Sequence, residues 1–312
     1  MSMNTLHVTN GDSVVHLWKK AGLLGTHLPW RDVLHEGPVL GDRPLEEMSA
    51  IRAQFLAHQG YGNAIKVHRD FEKRDALIRR ASEFEEIVLW FEHDLFDQLQ
   101  VLQILAVIRD MQLGAGTVQL IHCEHYLGTL SPDEVTALLP KRRSLTTTIA
   151  SGAQRAWLAF TASTPDSLRA ACSDAYGGLP FMQGALWRLC EEFPSLETGI
   201  SRTQRQILEA VAQGARSKDE IFKRSQAREE AAFLGDASCF REVAHLCAEP
   251  APLLAELESG YELTVLGRRV LAGDADWLEF APLDMYIGGV HLERARHWRW
   301  DETARAFVER AG

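Results

Sequence analysis

Glu86-Ile87-Val88-Leu89-Trp90-Phe91 is the stretch from which the fold is read. A run this short and this continuously apolar fits a strand covered on both faces, because a half-exposed strand would alternate apolar and polar residues. Polar Glu92-His93-Asp94 follows at once. Next, Leu95, Leu99, Leu102, Leu105 and Ile108 recur at helical spacing and place a helix over Leu95–Met111. Gly114 and Gly116 end it, and Thr117–His122 (TVQLIH) reads as the next strand.

Toward the N-terminus, Thr5–Thr9 (TLHVT) is a strand and Asn10-Gly11-Asp12-Ser13 a turn. Val14, Val15, Leu17, Trp18 and Ala21 then form a helix that stops at Gly22. A second extended stretch, Thr26–Trp30, enters an irregular segment, Arg31–Arg43, and two polar helices follow over Leu45–Gln59 and Asp70–Ser82. Strands alternating with helices predict an α/β fold, a Rossmann-like parallel sheet covered on both faces, for residues 1–130.

Beyond Ser131 the strand signal fades. Ser131-Pro132-Asp133-Glu134 is a capping box, Thr164-Pro165-Asp166-Ser167 starts another helix, and Leu179–Phe193 reads as a third. Residues 131–199 are therefore expected to form an α-helical connector. From Ile200, helices over Thr203–Gln213, from Ser217 and around Phe240–Cys247 precede a strand, Tyr261–Val265, and then a turn plus helix at Leu266–Leu271. That order predicts a winged-helix-like domain over residues 200–312, with Ile287–Trp300 adding a C-terminal hairpin. Trp298 and Trp300 alternate as a buried strand face would.

The chain of 312 residues is 46% hydrophobic and 24% charged, the balance of a globular protein. No apolar run is long enough to cross a bilayer, and the start of the chain lacks a secretion-signal pattern, so no membrane partner is expected. Five cysteines without a CxxC pair fit a reducing cytoplasm. A formal charge of −10 argues against a protein that coats nucleic acid.

Ligands of an open parallel sheet bind beyond the carboxyl ends of its strands. Those positions hold Asn10, Asp12 and Ser13; Trp30, Arg31, Asp32, His35 and Glu36; Glu92, His93, Asp94, Asp97 and Gln98; and His122, Glu124 and His125. Histidines beside carboxylates are what proton transfer or a metal site requires. Helix capping is the plainer role for Asp12, Ser13 and Asp94, but it accounts for neither Glu92, His93 nor Gln98. No HExxH, no deaminase cysteine pair, no phosphate-binding loop and no dinucleotide fingerprint is present, and an esterase-like reading of Gly11-Asp12-Ser13 lacks its partner blocks. A divalent cation held by carboxylates remains compatible with the pattern.

The strings His7–Ser13, Pro29–Asp32 with Leu34–Pro38, and Trp90–Asp94 with Asp97-Gln98 resemble those of a bacterial family, the domain of unknown function 1835. Ser201–Thr203 with Arg205–Leu208, Phe233–Asp236 and Gly288–Leu292 extend the resemblance over nearly the whole chain. It implies that the helix-turn-helix-like part is a standing component of the architecture, and it carries no activity.

The expectation is an enzyme or small-ligand binder acting by hydrolysis or group transfer on a small polar metabolite, phosphorylated ones included. His93, Glu92, His35 and Glu36 are its candidate catalytic residues, and Asn10, Asp12, Ser13, Trp30, Asp94, Asp97 and Gln98 its candidate ligand contacts. Asn10, Asp12, His35, Glu36, Glu92, His93 and Asp97 should then share one cleft. The alternative is a ligand-sensing regulator that holds nucleic acid through Arg241, Arg268 and Arg269.

Overall fold

The computed structural model describes residues 4–311 except 110, 112 and 115; the predicted last turn of the long helix, at Asp110, lies outside the described residues. The architecture is mixed α/β. The first part runs β1 (Thr5–Thr9), α1 (Asp12–Lys20), β2 (Thr26–Pro29), β3 (Gly37–Pro38), α2 (Leu45–His58), α3 (Ala64–Ile78), β4 (Glu86–Glu92), α4 (Leu95–Arg109), β5 (Val118–Cys123), α5 (Pro132–Leu138) and β6 (Arg143–Ser144). Its sheet has the order β2-β1-β4-β5-β6, with the first four strands parallel and β6 antiparallel. Val8 lies opposite Leu89, and Leu89 opposite Leu120.

The apolar run explains the centre of this sheet. Ile87, Leu89 and Phe91 of β4 face the core containing α4, while Val88 and Trp90 face Val14 and Trp18 of α1. Both faces of the strand are buried, so alternation is absent from its sequence. The helices α6 (Thr147–Phe160), α7 (Asp166–Ala171) and α8 (Met182–Cys190) follow and pack onto the α4 side. The third is shorter at both ends than its apolar pattern predicts, starting only after Phe181.

A second hydrophobic core follows in the chain, built on α9 (Arg202–Ala212), α10 (Lys218–Gln226), α11 (Asp236–Leu246), β7 (Leu254–Leu257), β8 (Gly260–Leu263) and α12 (Val265–Ala272). Three helices are thus followed by an antiparallel hairpin whose first arm, β7, the sequence reading did not mark. No turn separates β8 from α12: Thr264 caps the helix directly, accepting from Gly267 N at 2.9 Å.

The expected final hairpin is a larger object. Strands β9 (Asp284–Gly288), β10 (Val290–Glu293), β11 (Arg296–Asp301) and β12 (Ala306–Ala311) form an antiparallel meander, and β9 also pairs in parallel with β3. Gly37 lies opposite Ile287, and Val39 N donates to Gly288 O at 2.8 Å. Ile287, Val290, Leu292 and Trp300 join the core of the parallel sheet rather than the second core. Gly288 makes this approach possible: its φ is +58° and a Cβ there would stand 2.1 Å from Phe160 O. No helix among the described residues is long and apolar enough to cross a membrane.

Candidate functional site

Strand β4 ends in Glu92 and α4 begins three residues later, so the carboxyl end of the central strand delivers its polar residues onto a helix N-terminus. Asp94 caps that helix, accepting from Asp97 N at 3.0 Å. Asp97 and Gln98, three and four residues on, lie on the face of the helix that Asp94 occupies. Asp97 turns back to the strand: one carboxylate oxygen accepts from Glu92 N at 2.6 Å, the other from Asn10 Nδ2 at 2.8 Å. Glu92 in turn accepts from Leu127 N at 2.7 Å. The Gln98 amide donates to Glu92 O at 2.6 Å, which leaves its fully buried Oε1 without a hydrogen-bond partner.

Glu92, Asp94 and Asp97 are all buried, with one potential ligand atom from each lying within 4.8 Å of the others. This is the grouping with metal-ligand spacing among the described residues; His122 and His125 do not form one. Every hydrogen bond just described comes from a neutral donor, and no lysine or arginine ion-pairs with the three among the described residues. Burial, then the charge of Asp94, pushes Glu92 up to about 7. Burial likewise raises Asp94 to about 6, and burial with the charges of Asp94 and Glu92 holds Asp97 well above the usual carboxylate range.

His35 stands beside this cluster, close enough for its charge to pull Asp94 down. Its ring is enclosed by Phe96 and Phe233, both nitrogens lack a hydrogen-bond partner, and Nε2 lies 3.6 Å from Glu36 Oε1. Arg52 of α2 holds the loop that carries it, donating to Val33 O at 2.7 Å, Glu36 O at 2.6 Å and Pro38 O at 3.3 Å. The same guanidinium pairs with fully buried Asp32 at 2.9 Å, and Arg74 approaches that carboxylate at 3.8 Å.

Glu36 is engaged across the molecule. Arg241 of α11 donates to both of its oxygens, at 2.8 and 3.0 Å, and Tyr61 OH donates at 3.0 Å. Burial alone would raise Glu36, but His35, the Ser238 hydroxyl and Arg241 outweigh it and hold the carboxyl down to about 2.

The other expected residues separate. A cavity of about 480 Å³ is lined by His35, Glu36, Arg241, Glu242 and Tyr286. His93 lines a different one, of about 390 Å³, with Leu95, Phe181, Arg188 and Glu229. There His93 packs against Tyr126 and Phe181, and burial lowers its pKa. Asp12 and Ser13 are exposed; Asp12 forms a two-pronged ion pair with Arg31, and Gly11 rather than either residue occupies the helix cap. Trp30, expected to touch ligand, is instead fully buried: Nε1 donates to Gln103 and the ring lies under Arg74. Its apolar bulk follows a parallel strand directly into the core, where no ligand reaches it.

Arg241, placed on a nucleic-acid face in the alternative reading, spends its charge on Glu36 within the chain. Arg268 and Arg269 are exposed, and each donates to a backbone carbonyl nearby, of Leu263 and Asp274. The sequence reading missed Arg52, Tyr61 and Ser238. Arg52 carried a signal: it sits four residues from both Met48 and Leu56, on the buried face of α2. Tyr61 and Ser238 carried none, because they meet only through the tertiary fold. No family model and no curated protein matches the chain.

Proposed function

We propose that this chain is an enzyme that hydrolyses, or transfers a group to or from, a small polar metabolite, phosphorylated ones included, at the carboxyl edge of its parallel sheet. The observation that carries the reading is the position of His35, which lines the larger of the two cavities described above and also bears electrostatically on the Glu92–Asp94–Asp97 cluster. Among the described residues neither ring nitrogen makes a hydrogen bond, and only Nε2 faces a charge, Glu36 at 3.6 Å, which leaves the ring able to exchange a proton with a bound molecule. Glu36, anchored by Arg241, fixes the ring from one side. Asn10 and Asp97 tie the end of β1 to the first turn of α4.

The reading includes a Rossmann-like first domain, a winged-helix-like module that packs against the site through Arg241, a cytoplasmic location and membership of the domain of unknown function 1835 family. Five free cysteines agree with a reducing compartment. The test is a melting-shift screen of the full chain against phosphorylated and unphosphorylated polar metabolites, repeated with His35→Ala. A metabolite that raises the melting temperature of the parent and not of the variant supports the assignment. A panel without a single shift, or with shifts of equal size in both proteins, removes it.

A further inference from the structure

Three buried carboxylates meet where β4 passes into α4, and they are served by neutral donors alone: Asn10 Nδ2 and the backbone N–H groups of Glu92, Asp97 and Leu127. Carboxylates this close cannot all be ionised in a dry interior without a compensating positive charge. Two things can supply it, protons or a cation. The geometry favours the second. Oxygen ligands at about 2.4 Å from a common hard cation lie no more than about 4.8 Å apart, and the ligand atoms of Glu92, Asp94 and Asp97 meet that limit.

An independent observation comes from Gln98. Its amide orientation is fixed, because Nε2 donates to Glu92 O at 2.6 Å. Oε1 is then left fully buried and unpartnered, on the helical face it shares with Asp94. Leaving a buried acceptor without a partner is costly, and a cation held by the neighbouring carboxylates would meet it.

We infer that Glu92, Asp94 and Asp97, with the Gln98 amide oxygen, form a site for one hard divalent cation of the magnesium, manganese or calcium class. All its protein ligands are oxygen atoms, and no cysteine or histidine ring is required. The ion would tie the end of β4 to the first turn of α4 and, through Asn10, to the end of β1.

The experiment uses the full chain, stripped with a chelator and dialysed, with metal ions alone and no metabolite. Manganese titrated against the parent and followed by electron paramagnetic resonance is expected to saturate at one ion per chain and to be displaced by magnesium or calcium. Thermal unfolding should rise by about 5 °C at saturating metal. Asp97→Asn should abolish both responses. Gln98→Met, which keeps the volume and deletes the oxygen, should weaken manganese binding about tenfold, roughly the net value of one charge-assisted contact; it decides the matter should Asp97→Asn not fold. A parent that neither binds manganese nor responds thermally overturns the inference, as does binding unchanged in both variants. Because no metabolite is present, failure here is separate from failure of the proposed function.

Discussion

Asp32 and Asp97 are both fully enclosed, and both belong to segments at the carboxyl ends of parallel strands, yet their charges are met in opposite ways. Around Asp32 stand two guanidiniums, with Arg52 at 2.9 Å and Arg74 at 3.8 Å, and these in turn bind backbone carbonyls, Ser49 and Asp75. Around Asp97 stand two more carboxylates and only neutral donors. The first arrangement is closed: each charge has its opposite inside the protein. The second is open: among the described residues no lysine or arginine pairs with it, and its charge is left to His35, to protons or to a bound cation. Burial of an acidic residue therefore says little by itself about function. Whether its counter-charge is covalently part of the protein says more.

The same substitution at the two positions should separate them most. Asp32→Asn strands the buried Arg52 guanidinium and leaves Arg74 to Asp75 alone, and breaking a buried pair by removing one partner costs about 3–5 kcal/mol; urea unfolding followed by circular dichroism measures it. Asp97→Asn relieves repulsion while sacrificing one hydrogen bond, so in chelated buffer its cost should stay below about 1 kcal/mol. Equal losses at the two sites would erase the distinction.

A smaller effect sharpens the comparison through Glu36, a third carboxylate whose counter-charge lies within the protein, on α11. Its folded pKa of about 2 lies below its ordinary 4.5, so the stability it contributes is present in full above pH 4.5 and is lost as pH falls toward 2. Glu36→Gln should remove that acid-sensitive part of the unfolding free energy, about 3 kcal/mol, and flatten the profile between those limits. A variant with the parent's profile would show that His35, Ser238 and Arg241 do not hold Glu36 low in solution. Least of all is expected from Arg268→Glu with Arg269→Glu, whose side chains are exposed: a change within about 0.5 kcal/mol by the same denaturation measurement. A larger loss would mean that this edge of α12 carries a contact comparable to those above.

The sequence made the centre of the sheet plain because a strand buried on both faces announces itself as Ile87–Phe91, and the polar residues just after it stood out by contrast. Glu92, Asp94, Asp97 and Gln98 are marked on that ground, and Asn10 because it follows the first strand; the fold brings them together. What the sequence did not separate was Asp32 from Asp97, because the arginines that neutralise the former lie on helices further along the chain. Trp30 was misplaced for a related reason: an aromatic residue at a strand end looks the same whether it faces a ligand or Arg74. The split of His35 and His93 between two cavities follows from how α8 and α11 dock, and that information is not local.

Two residues, Gly37 and Pro38, pair with Ile287 and Gly288 and so fasten the loop bearing His35 to the last sheet of the chain. During synthesis the pairing of that loop, and the Val39 amide with it, must wait until some two hundred and fifty further residues have been added. Such long-range closure is slow to form and leaves the incomplete chain exposed. Activity that depends on His35 should accordingly be the last property the protein acquires as it folds, and a chain cut before residue 284 should fold around β4 yet never assemble the pocket.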